Sequence, residues 1–268
     1  MSEEKIVSHA KVGIIGGGIM GVSLLYNLAK EGWKDLVLLE KGELTSGSTW
    51  HAAGQCPQMM GSYNLAKIHQ ESNNLYKNLE KETEQATGFH ECGSLRIAYK
   101  KEDLDWFKYV KGILDNIGAP SEIISMNEIR KIHPFIKLDG ILGAFHTLDD
   151  GHTDPTSTTN AMAKGARNYG AKIYRKNRVT DIKNLPSGEW KLITEKGDII
   201  CEHVVNAAGS YGPEVGAMVG LKNIPSINMI HHYLVTDEHP SIAKLGKELP
   251  VVRDPQASAY LRQEGKGL

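Results

Sequence analysis

Three glycines near the start of the chain, in the pattern Gly16-x-Gly18-x-x-Gly21, limit its fold more than any other feature. They follow an apolar run at Lys11–Ile15 whose branched residues predict a strand buried on both faces. Apolar residues at helical spacing come next and predict a helix. Strand, glycine turn and helix in this order favour a βαβ unit that binds a dinucleotide. The residues expected on the apolar side of the helix are Met20, Leu24, Leu25 and Leu28.

A second strand and an acidic residue support this interpretation. Gly32 is expected to end the helix, Leu36–Leu39 predict the second strand, and Glu40 follows it, 24 residues after Gly16. An acid at that strand end can accept hydrogen bonds from ribose hydroxyls, while the helix N terminus presents free N–H groups to phosphate. The alternative is a glycine-rich turn in an α/β protein that binds no nucleotide.

The run Gly47–Gly54, GSTWHAAG, continues along the same predicted sheet edge and places one histidine among small residues. Small side chains leave room for a flat ring system close to the backbone. Ser48 and Thr49 are expected to cap a new helix and to donate hydroxyls toward phosphate. By residue type alone, a loop histidine such as His51 is more often an ordinary hydrogen-bonded residue than a cofactor ligand.

The segment ELTSGSTWHAAG resembles the flavin-attachment segment of the dimethylglycine and sarcosine dehydrogenases, which belong to the D-amino-acid-oxidase-like flavoproteins. This resemblance implies that FAD is the cofactor and that His51 is bonded covalently to its 8α-methyl carbon. DGHTDP at 150–155, the strand with Val179, and VVNAAGSYGPEVG with Tyr211 are similar to later blocks of the family, in the same order. The cofactor-binding residues that it implies are Gly16, Gly18, Ile19, Met20, Gly21, Glu40, Lys41, Gly47, Ser48, Thr49, His51, Val179 and Tyr211.

The same resemblance supplies candidate catalytic residues from the last part of the chain. INMIHHYLVTDEHP alternates as a strand, and its His231 aligns with an active-site histidine of the family. Alternation puts His232 on the opposite face. VVRDPQASAYLRQEGKGL is similar to the next strand pair, in which Tyr260 carries the aromatic hydroxyl before Leu-Arg. Ala259 stands where the dimethylglycine branch usually has a second tyrosine, which leaves open which hydroxyl, if any, faces the substrate.

Together these blocks predict an α/β protein in which a Rossmann-like FAD/NAD(P)-binding fold is interleaved with an antiparallel-sheet α+β substrate domain. We assign residues 8–60 and 150–222 to a discontinuous FAD-binding domain, and 61–149 and 223–268 to an incomplete substrate domain. Two further helices are expected, one ending at Gly88 and one ending at Gly118. Their apolar faces carry Leu65, Ile68, Leu75 and Leu79 in the first and Leu104, Phe107, Leu114 and Ile117 in the second. One strand is expected within Ala171–Ile182, and a hairpin is expected to join Trp190–Thr194 to Ile199–Asn206.

The implied reaction is oxidative demethylation of a small N-methylated amino acid, dimethylglycine or, less favoured, sarcosine, by hydride transfer to FAD. The electron acceptor, an electron-transfer flavoprotein or oxygen, stays open, as does the arginine that anchors a substrate carboxylate, Arg253 or Arg262. Many family members add a folate-binding region, so tetrahydrofolate is a further candidate cofactor outside this chain. The alternative function is that of a non-catalytic relative, the regulatory subunit of pyruvate dehydrogenase phosphatase, and His51 argues against it.

Composition argues against other partners. Thirty-one Lys and Arg against 32 Asp and Glu give a net charge of -1, which offers no basic footprint for nucleic acid. No apolar run reaches the roughly 18–20 residues that cross a bilayer, and Cys56, Cys92 and Cys201 fit neither a disulfide framework nor a metal site. Without a secretory or mitochondrial presequence we expect a cytoplasmic protein, or a matrix protein in a eukaryote. Because the chain stops within what resembles the beginning of a strand, we also expect a fragment.

Overall fold

The computed structural model describes residues 5–268 as two compact units. One contains the chain up to Ala52, Leu79–Thr87 and Asp154–Ile230, and the other contains Ala53–Asn78, Gly88–Thr153 and His231–Leu268. The predicted α/β fold class is confirmed, because both units combine helices with mixed sheets. The assignment of a cofactor role and a substrate role to the predicted ranges stays a prediction.

The strands, in chain order, are β1 (His9–Ile15), β2 (Leu36–Leu39), β3 (Gln55–Cys56), β4 (Ser94–Ala98), β5 (Ser121–Ile124), β6 (Gly143–Thr147), β7 (Gly151–His152), β8 (Lys172–Tyr174), β9 (Val179–Asn184), β10 (Trp190–Thr194), β11 (Ile199–Asn206), β12 (Val251–Asp254) and β13 (Ala259–Leu261). The α-helices are α1 (Ile19–Lys30), α2 (Tyr63–Thr83), α3 (Lys101–Ile117), α4 (Met126–Ile132), α5 (Pro155–Asn168), α6 (Gly212–Ala217) and α7 (Pro240–Ala243). Short 3-10 helices form at Ser48–His51 and Gly209–Tyr211.

The first unit is built on a sheet with the strand order β8-β2-β1-β11-β10-β9. Strand β1 pairs in parallel with β2 and β11, and β2 pairs in parallel with β8. Strand β10 pairs with β11 in antiparallel fashion, which confirms the predicted hairpin of these two strands. Strand β9 then pairs with β10, also in antiparallel fashion, and ends the sheet. Parallel strands are covered on both faces, and β2 accordingly reads Leu-Val-Leu-Leu and is buried at every position.

Helices α1 and α5 pack closely in this unit because α5 carries a glycine at the contact. A Cβ atom added to Gly165 would lie 2.7 Å from Cε2 of Tyr26, whose side chain is fully buried. The Tyr26 hydroxyl donates to Oε1 of Glu82 over 2.6 Å, and Lys30 forms an ion pair with the same carboxylate at 2.8 Å. The hydroxyl of Tyr169 donates to Glu82 as well. Gly165 therefore lets an aromatic side chain fill the space between two helices.

The second unit is built on a sheet with the strand order β13-β12-β4-β6-β5. Its pairs are antiparallel except β12 with β4, which are parallel, so the expected antiparallel sheet is in fact mixed. Helix α3 packs on one face, where Phe107 and Leu114 contact the apolar cluster of Ala98 and Phe145. The opposite face carries Leu95, Ile97, Ala144 and Val252, which cluster with Ile129 of α4.

Local sequence signals set several helix ends. Helix α3 ends at Ile117 because Gly118 adopts φ 73, which confirms the predicted stop. Helix α4 begins after Ser125, whose hydroxyl accepts from the backbone N–H of Glu128 while the Glu128 carboxylate accepts from Ser125. Helix α5 begins after Asp154, whose carboxylate accepts from the N–H of Ser157 over 2.6 Å.

Three expectations about helix faces and strand continuity were wrong. Met20 is 76% exposed, because α1 turns Val22, Leu25, Tyr26 and Ala29 inward instead. Helix α2 ends at Thr83 rather than at Gly88, and its Leu65 and Ile68 are exposed while Ala66 and Leu79 are buried. The stretch Ala171–Ile182 is divided into β8 and β9 at opposite edges of the sheet, since Lys176 at φ 51 breaks the extended backbone. Neighbouring elements, which periodicity alone does not reveal, select the buried face.

The segment INMIHHYLVTDEHP does not form the expected strand. Residues 221–239 have no helical or extended pairing, and Ile227, Met229, Ile230 and Leu234 are exposed. Among the described residues, only the end of the segment bonds to a distant part of the backbone, where the N–H of Thr236 donates to the carbonyl of Leu268 and that of His239 donates to the carbonyl of Lys266. Alternation creates a strand only where a neighbouring strand completes the backbone hydrogen bonds, and none does so for 227–235 within the described residues.

The helices and the three cysteines of the described residues have the following properties. Along residues 5–268, each helix is too short or too polar to cross a lipid bilayer. Cys201 is buried, Cys56 and Cys92 are partly buried, and all three are free thiols. Burial raises the pKa of both Cys56 and Cys201 to about 12, so these thiols remain protonated and unreactive near neutral pH.

We expect Gly165→Ala to destabilise the first unit by about 1–3 kcal/mol, because the new methyl group would displace the buried Tyr26 ring. Gly112→Ala is the matched control: this glycine also lies within a helix, and an added Cβ meets nothing within 4 Å. Urea denaturation followed by circular dichroism measures both variants. Equal or higher stability of Gly165→Ala would contradict the packing of α1 on α5.

Candidate functional site

The first predicted glycine lies where two strand ends of the first unit meet. Gly16 follows β1 with φ 120, a backbone conformation that favours glycine, and its N–H donates to the carbonyl of Leu39 over 2.9 Å. A Cβ atom on Gly16 would overlap the carbonyl of Ala207, which follows β11, and a Cβ atom on Gly21 would overlap the carbonyl of Gly16. The glycines therefore allow helix α1 to begin directly against two strand ends.

The N terminus of α1 has the properties of an anion site. Its N-cap, Gly18, provides no capping side chain, and the first turn contains no acidic residue. The N–H groups of Gly18 and Met20 have no hydrogen-bond acceptor among residues 5–268. Unpaired N–H groups and the positive end of the helix dipole suit a phosphate. The chemistry of this donor set therefore fits the pyrophosphate of a dinucleotide.

Thr49 does not cap the helix that the sequence predicted it would cap. The 3-10 helix Ser48–His51 begins after Gly47 without a side-chain hydrogen bond. The Thr49 hydroxyl instead accepts from the backbone N–H of Ile19 over 3.0 Å, and it lies 3.0 Å from the position of a Cβ on Gly18. Thr49 thus belongs to the first turn of α1, close in space to the glycines although it is distant in sequence. Ser48, the residue before Thr49, is exposed.

Glu40 fixes the glycine turn. Its Oε2 accepts from the N–H of Gly17 over 2.6 Å, and its Oε1 accepts from the N–H of Gly42 over 2.7 Å. The side chain is buried, yet each carboxylate oxygen keeps a further lone pair that could accept a ribose hydroxyl. The ribose contact expected of Glu40 stays a prediction.

Two residues next to Glu40 were missed in the sequence. Thr45 adopts φ 69 and its N–H donates to the carbonyl of Gly17, so this threonine also supports the turn. Asn177 is fully buried, its N–H donates to the carbonyl of Glu40, and its Nδ2 has no hydrogen-bond partner among the described residues. Asn177 was hidden inside the stretch interpreted as one strand. Val179, one of the cofactor-binding residues that the resemblance implies, begins β9 two residues later and is buried.

His51 lies at the end of the 3-10 helix with its ring exposed. Its imidazole stacks on the indole of Trp50, with ring centroids 3.7 Å apart and an angle of 33° between the planes. Neither ring nitrogen has a hydrogen-bond partner in the part of the chain that the structure describes. The imidazole is therefore accessible and free to act as a nucleophile or ligand.

Two further predicted cofactor residues meet each other. The ammonium group of Lys41 lies 3.0 Å from the centroid of the Tyr211 ring, a cation–π contact between the end of β2 and the loop after β11. Both side chains are exposed. Gly209 before Tyr211 adopts φ 55. The sequence named these two residues separately, and the structure brings them together at one edge of the sheet.

The predicted catalytic residues belong to the second unit and lie in different settings. His231 and His232 are both exposed within the unpaired segment 221–239, so the expected opposite strand faces do not exist. Tyr260 lies in β13, directly opposite Arg253 of β12, and is 44% exposed. The strand pair predicted around Tyr260 is confirmed, while the catalytic roles of His231 and Tyr260 stay predictions.

The DGHTDP block contains a buried carboxyl group. Oδ2 of Asp150 accepts from the hydroxyl of Ser94, and its Oδ1 accepts from the backbone N–H and the side-chain amide of Gln58. Burial raises the pKa of Asp150 to about 6, although these hydrogen bonds act in the opposite direction. Asp150 therefore holds three donors in the interior of the second unit, a role that the sequence did not predict.

The family comparison decides between a flavoprotein and a nucleotide-free α/β protein. The DAO family model, described as FAD dependent oxidoreductase, matches residues 11–268. The chain belongs to this family. The family predicted from the glycine turn and the His51 segment is thereby confirmed.

Relatives within the DAO family differ in function. Mitochondrial dimethylglycine dehydrogenase of Rattus norvegicus is 46% identical over 97% of this chain and 30% of that protein. Mitochondrial sarcosine dehydrogenase of Homo sapiens is 35% identical over 97% of this chain and 28% of that protein. The mitochondrial pyruvate dehydrogenase phosphatase regulatory subunit of Mus musculus is 34% identical, again over 97% of this chain and 30% of that protein. The chain thus spans about 30% of the length of these relatives.

A solved structure is also similar to this chain. L-proline dehydrogenase from P. horikoshii matches with a TM-score of 0.84 and 28% identity, over 98% of this chain and 69% of that one. The similarity extends over both compact units.

Asp150 makes the stability of the second unit depend on pH. Its folded pKa of about 6 lies above the ordinary value of 3.8, so between pH 4 and 6 the folded protein binds more protons than the unfolded chain. Its contribution to the free energy of unfolding is fully present below pH 4 and is lost as the pH rises through 6. We expect the stability of the wild type relative to Asp150→Asn to fall by about 2–3 kcal/mol between pH 4 and 7.

Urea titrations at several pH values measure this difference. Asp139→Asn is the control, since the side chain of Asp139 is 80% exposed in the same unit. Curves for wild type and Asp150→Asn that run parallel from pH 4 to 7 would refute the raised pKa.

Proposed function

We propose that the protein containing this chain is an FAD-dependent enzyme that oxidatively demethylates a small N-methylated amino acid, with dimethylglycine favoured over sarcosine. The observation that carries the proposal is the 46% identity to a dimethylglycine dehydrogenase over 97% of the chain. The anion-binding geometry at the start of α1 supports the cofactor part of the proposal.

Residues of the first unit could bind three successive parts of FAD: the pyrophosphate, the ribose and the adenine. The N–H groups of Gly18 and Met20 would hold the pyrophosphate, Thr49 has a hydroxyl hydrogen left to donate to it, and Glu40 would accept from the ribose. The backbone beside Val179 would contact the adenine. When bound, FAD supplies an acceptor for the hydride of the N-methyl carbon.

His51 is proposed to attach the cofactor covalently. Its imidazole is exposed, its nitrogens are unpaired among the described residues, and Trp50 supports the ring from one side. His51 would supply the ring nitrogen that bonds to the 8α-methyl carbon; one proton would leave the imidazole and one the methyl group, and the two electrons would pass to the acceptor of the enzyme, oxygen or an electron-transfer flavoprotein. Covalent attachment would retain the cofactor through each catalytic cycle.

The substrate must react as a neutral amine, because only the nitrogen lone pair can expel a hydride from the neighbouring carbon. His231 is proposed to favour this form by accepting the ammonium proton, and Tyr260 by donating a hydrogen bond from its hydroxyl to the amine nitrogen. The exposed hydroxyl of Tyr260 supports its part in this role. His231 is also exposed, and it could contact a bound substrate only if segment 221–239 packed against that substrate.

We expect anaerobic addition of dimethylglycine to the flavin-loaded full-length protein to bleach the visible absorbance of the flavin, because hydride transfer reduces the ring. Trimethylglycine is the matched control, since its quaternary nitrogen has no lone pair and should leave the spectrum unchanged. An unchanged spectrum with dimethylglycine, sarcosine and other N-methyl amino acids would contradict the enzyme. It would favour the non-catalytic function suggested by the 34% identity to the phosphatase regulatory subunit.

We expect acid precipitation of the full-length protein to leave yellow flavin in the pellet, and His51→Ala to release it to the supernatant. Binding before precipitation should persist, because the contacts at α1 do not involve His51. His9→Ala removes another exposed imidazole of the first unit and should retain flavin in the pellet. Free FAD in the supernatant of the wild type would disprove the covalent bond.

A further inference from the structure

We propose that His90, His152 and Glu248 of the second unit form a binding site for a divalent transition-metal ion such as zinc. The site depends neither on the flavin nor on the reaction proposed above. Its three ligand atoms, a ring nitrogen from each histidine and one carboxylate oxygen, all lie within 4.8 Å of one another. Nδ1 of His90 is 2.7 Å from Oε2 of Glu248, and Nε2 of His152 is 2.6 Å from Oε1. Three side chains of the types that bind zinc therefore meet at one point.

The backbone holds the two histidines side by side. His90 and His152 are opposite each other in an antiparallel bridge, in which each N–H donates to the carbonyl of the other, over 2.8 and 3.1 Å. Opposite residues of such a pair place their side chains on the same face. The two chains approach closely because a Cβ atom on Gly151 would overlap the carbonyl of His90. The imidazole rings stack, with centroids 4.9 Å apart and an angle of 16° between the planes.

Glu248 comes from a third segment, which leads into β12. The N–H of Leu249 donates to Oε1 of Gln263 over 3.1 Å. The N–H of Val251 donates to the carbonyl of Gly93 over 3.0 Å. These bonds fix the backbone that follows Glu248, so the carboxylate meets the histidines from a defined position. An ion at this point would join three segments of the second unit that are distant in sequence.

The carboxyl group of Glu248 is available as a charged ligand. Burial acts to raise its pKa, but hydrogen bonds from His152 and His90 outweigh burial and lower it. The cluster therefore combines two imidazoles with one carboxylate. Imidazole nitrogen suits zinc and similar transition metals, whereas magnesium and calcium prefer oxygen ligands.

The dimensions of the cluster suit an ion after a small adjustment. Zinc bonds of about 2.0–2.2 Å in a tetrahedron put neighbouring ligand atoms about 3.4 Å apart. The distances of 2.6 and 2.7 Å between nitrogen and oxygen are shorter because a hydrogen atom joins each pair, so the carboxylate must move by less than about 1 Å. The side chains of His90 and Glu248 are 52% and 26% exposed, which leaves access for water as a fourth ligand.

Arg262 opposes metal binding and thereby provides a specific test. It donates to Nδ1 of His152 over 3.2 Å, and because arginine only donates, the proton of the neutral His152 ring is on Nε2. A metal ion on Nε2 requires this proton to move to Nδ1, and Arg262 must then turn away toward Glu264, its ion-pair partner at 2.6 Å. A side chain at position 262 that accepts from Nδ1 should therefore strengthen the site.

The test measures zinc binding by the full-length protein after dialysis against a chelator. Isothermal titration calorimetry with zinc gives the number of ions bound and their Kd values. His90→Ala and Glu248→Gln should each weaken the binding of one zinc ion by about 100-fold or more, because loss of a group that only orients a ligand already costs about 10–100-fold. Excess magnesium should not displace that ion.

Two further variants complete the test. His146→Ala is the matched control, since Nδ1 of His146 pairs with Glu122 at 3.1 Å in the same unit but outside the three-ligand cluster. It should bind zinc as the wild type does. Arg262→Gln supplies an amide oxygen that can accept from Nδ1 of His152, and it should lower the Kd by about 10-fold. Circular dichroism without zinc checks that each variant folds, and His90→Ala alone decides if Glu248→Gln does not.

Each outcome supports or refutes the site. Loss of one ion in His90→Ala and Glu248→Gln, with binding kept in His146→Ala and strengthened in Arg262→Gln, supports it. Equal zinc binding by the wild type and folded His90→Ala refutes it, and the cluster is then only a hydrogen-bonded link between three segments. Displacement by magnesium refutes the transition-metal assignment. An unchanged or higher Kd in folded Arg262→Gln refutes coordination through Nε2 of His152.

Discussion

The carboxylate of Glu40 ties the glycine turn of the first unit to the strand beside it. It accepts from the N–H groups of Gly17 and Gly42, while its own backbone N–H donates to Tyr174 and its carbonyl accepts from Asn177. The ends of β1, β2 and β8 are thereby joined through one residue. Because this side chain is buried, replacing it would leave two backbone donors unpaired in the interior. The orientation of the α1 N terminus, and with it the proposed pyrophosphate site, depends on these bonds.

The proposed pyrophosphate site also requires the backbone at the start of α1 to lie close to the ends of β1 and β11. Gly16 lies against the carbonyl of Ala207, and Gly21 lies against that of Gly16, so any side chain at either position would push α1 away from the strand ends. The Thr49 hydroxyl then accepts from the N–H of Ile19, while the N–H groups of Gly18 and Met20 have no acceptor among residues 5–268. The arrangement leaves donors directed at one place, which suits an anion better than it suits a closed core.

In the second unit, ion pairing occupies one arginine and leaves two others without an acidic partner among the described residues. Arg262 is neutralised by Glu264 and fixed by His152, whereas Arg96 and Arg253 face each other without a carboxylate among the described residues. Sequence reasoning named Arg253 and Arg262 as equals, since both lie near Tyr260. Arg96 could not be found in this way, because the parallel pairing of β12 with β4 joins residues that are far apart in the chain.

The sequence by itself determined the elements whose signals are local. Strand β1, helix α1, strand β2 and the β10–β11 hairpin form where expected, since buried strands, a glycine turn and short-range pairing leave their pattern in consecutive residues. Tertiary structure alone decided the features that need a neighbour. The segment around His231 has a strand pattern but no pairing strand among residues 5–268, Thr49 caps α1 rather than its own helix, and β8 and β9 lie at opposite sheet edges. Periodicity records which side chains prefer burial, but the partner that supplies hydrogen bonds or charge comes from elsewhere in the chain, and only folding brings it into contact.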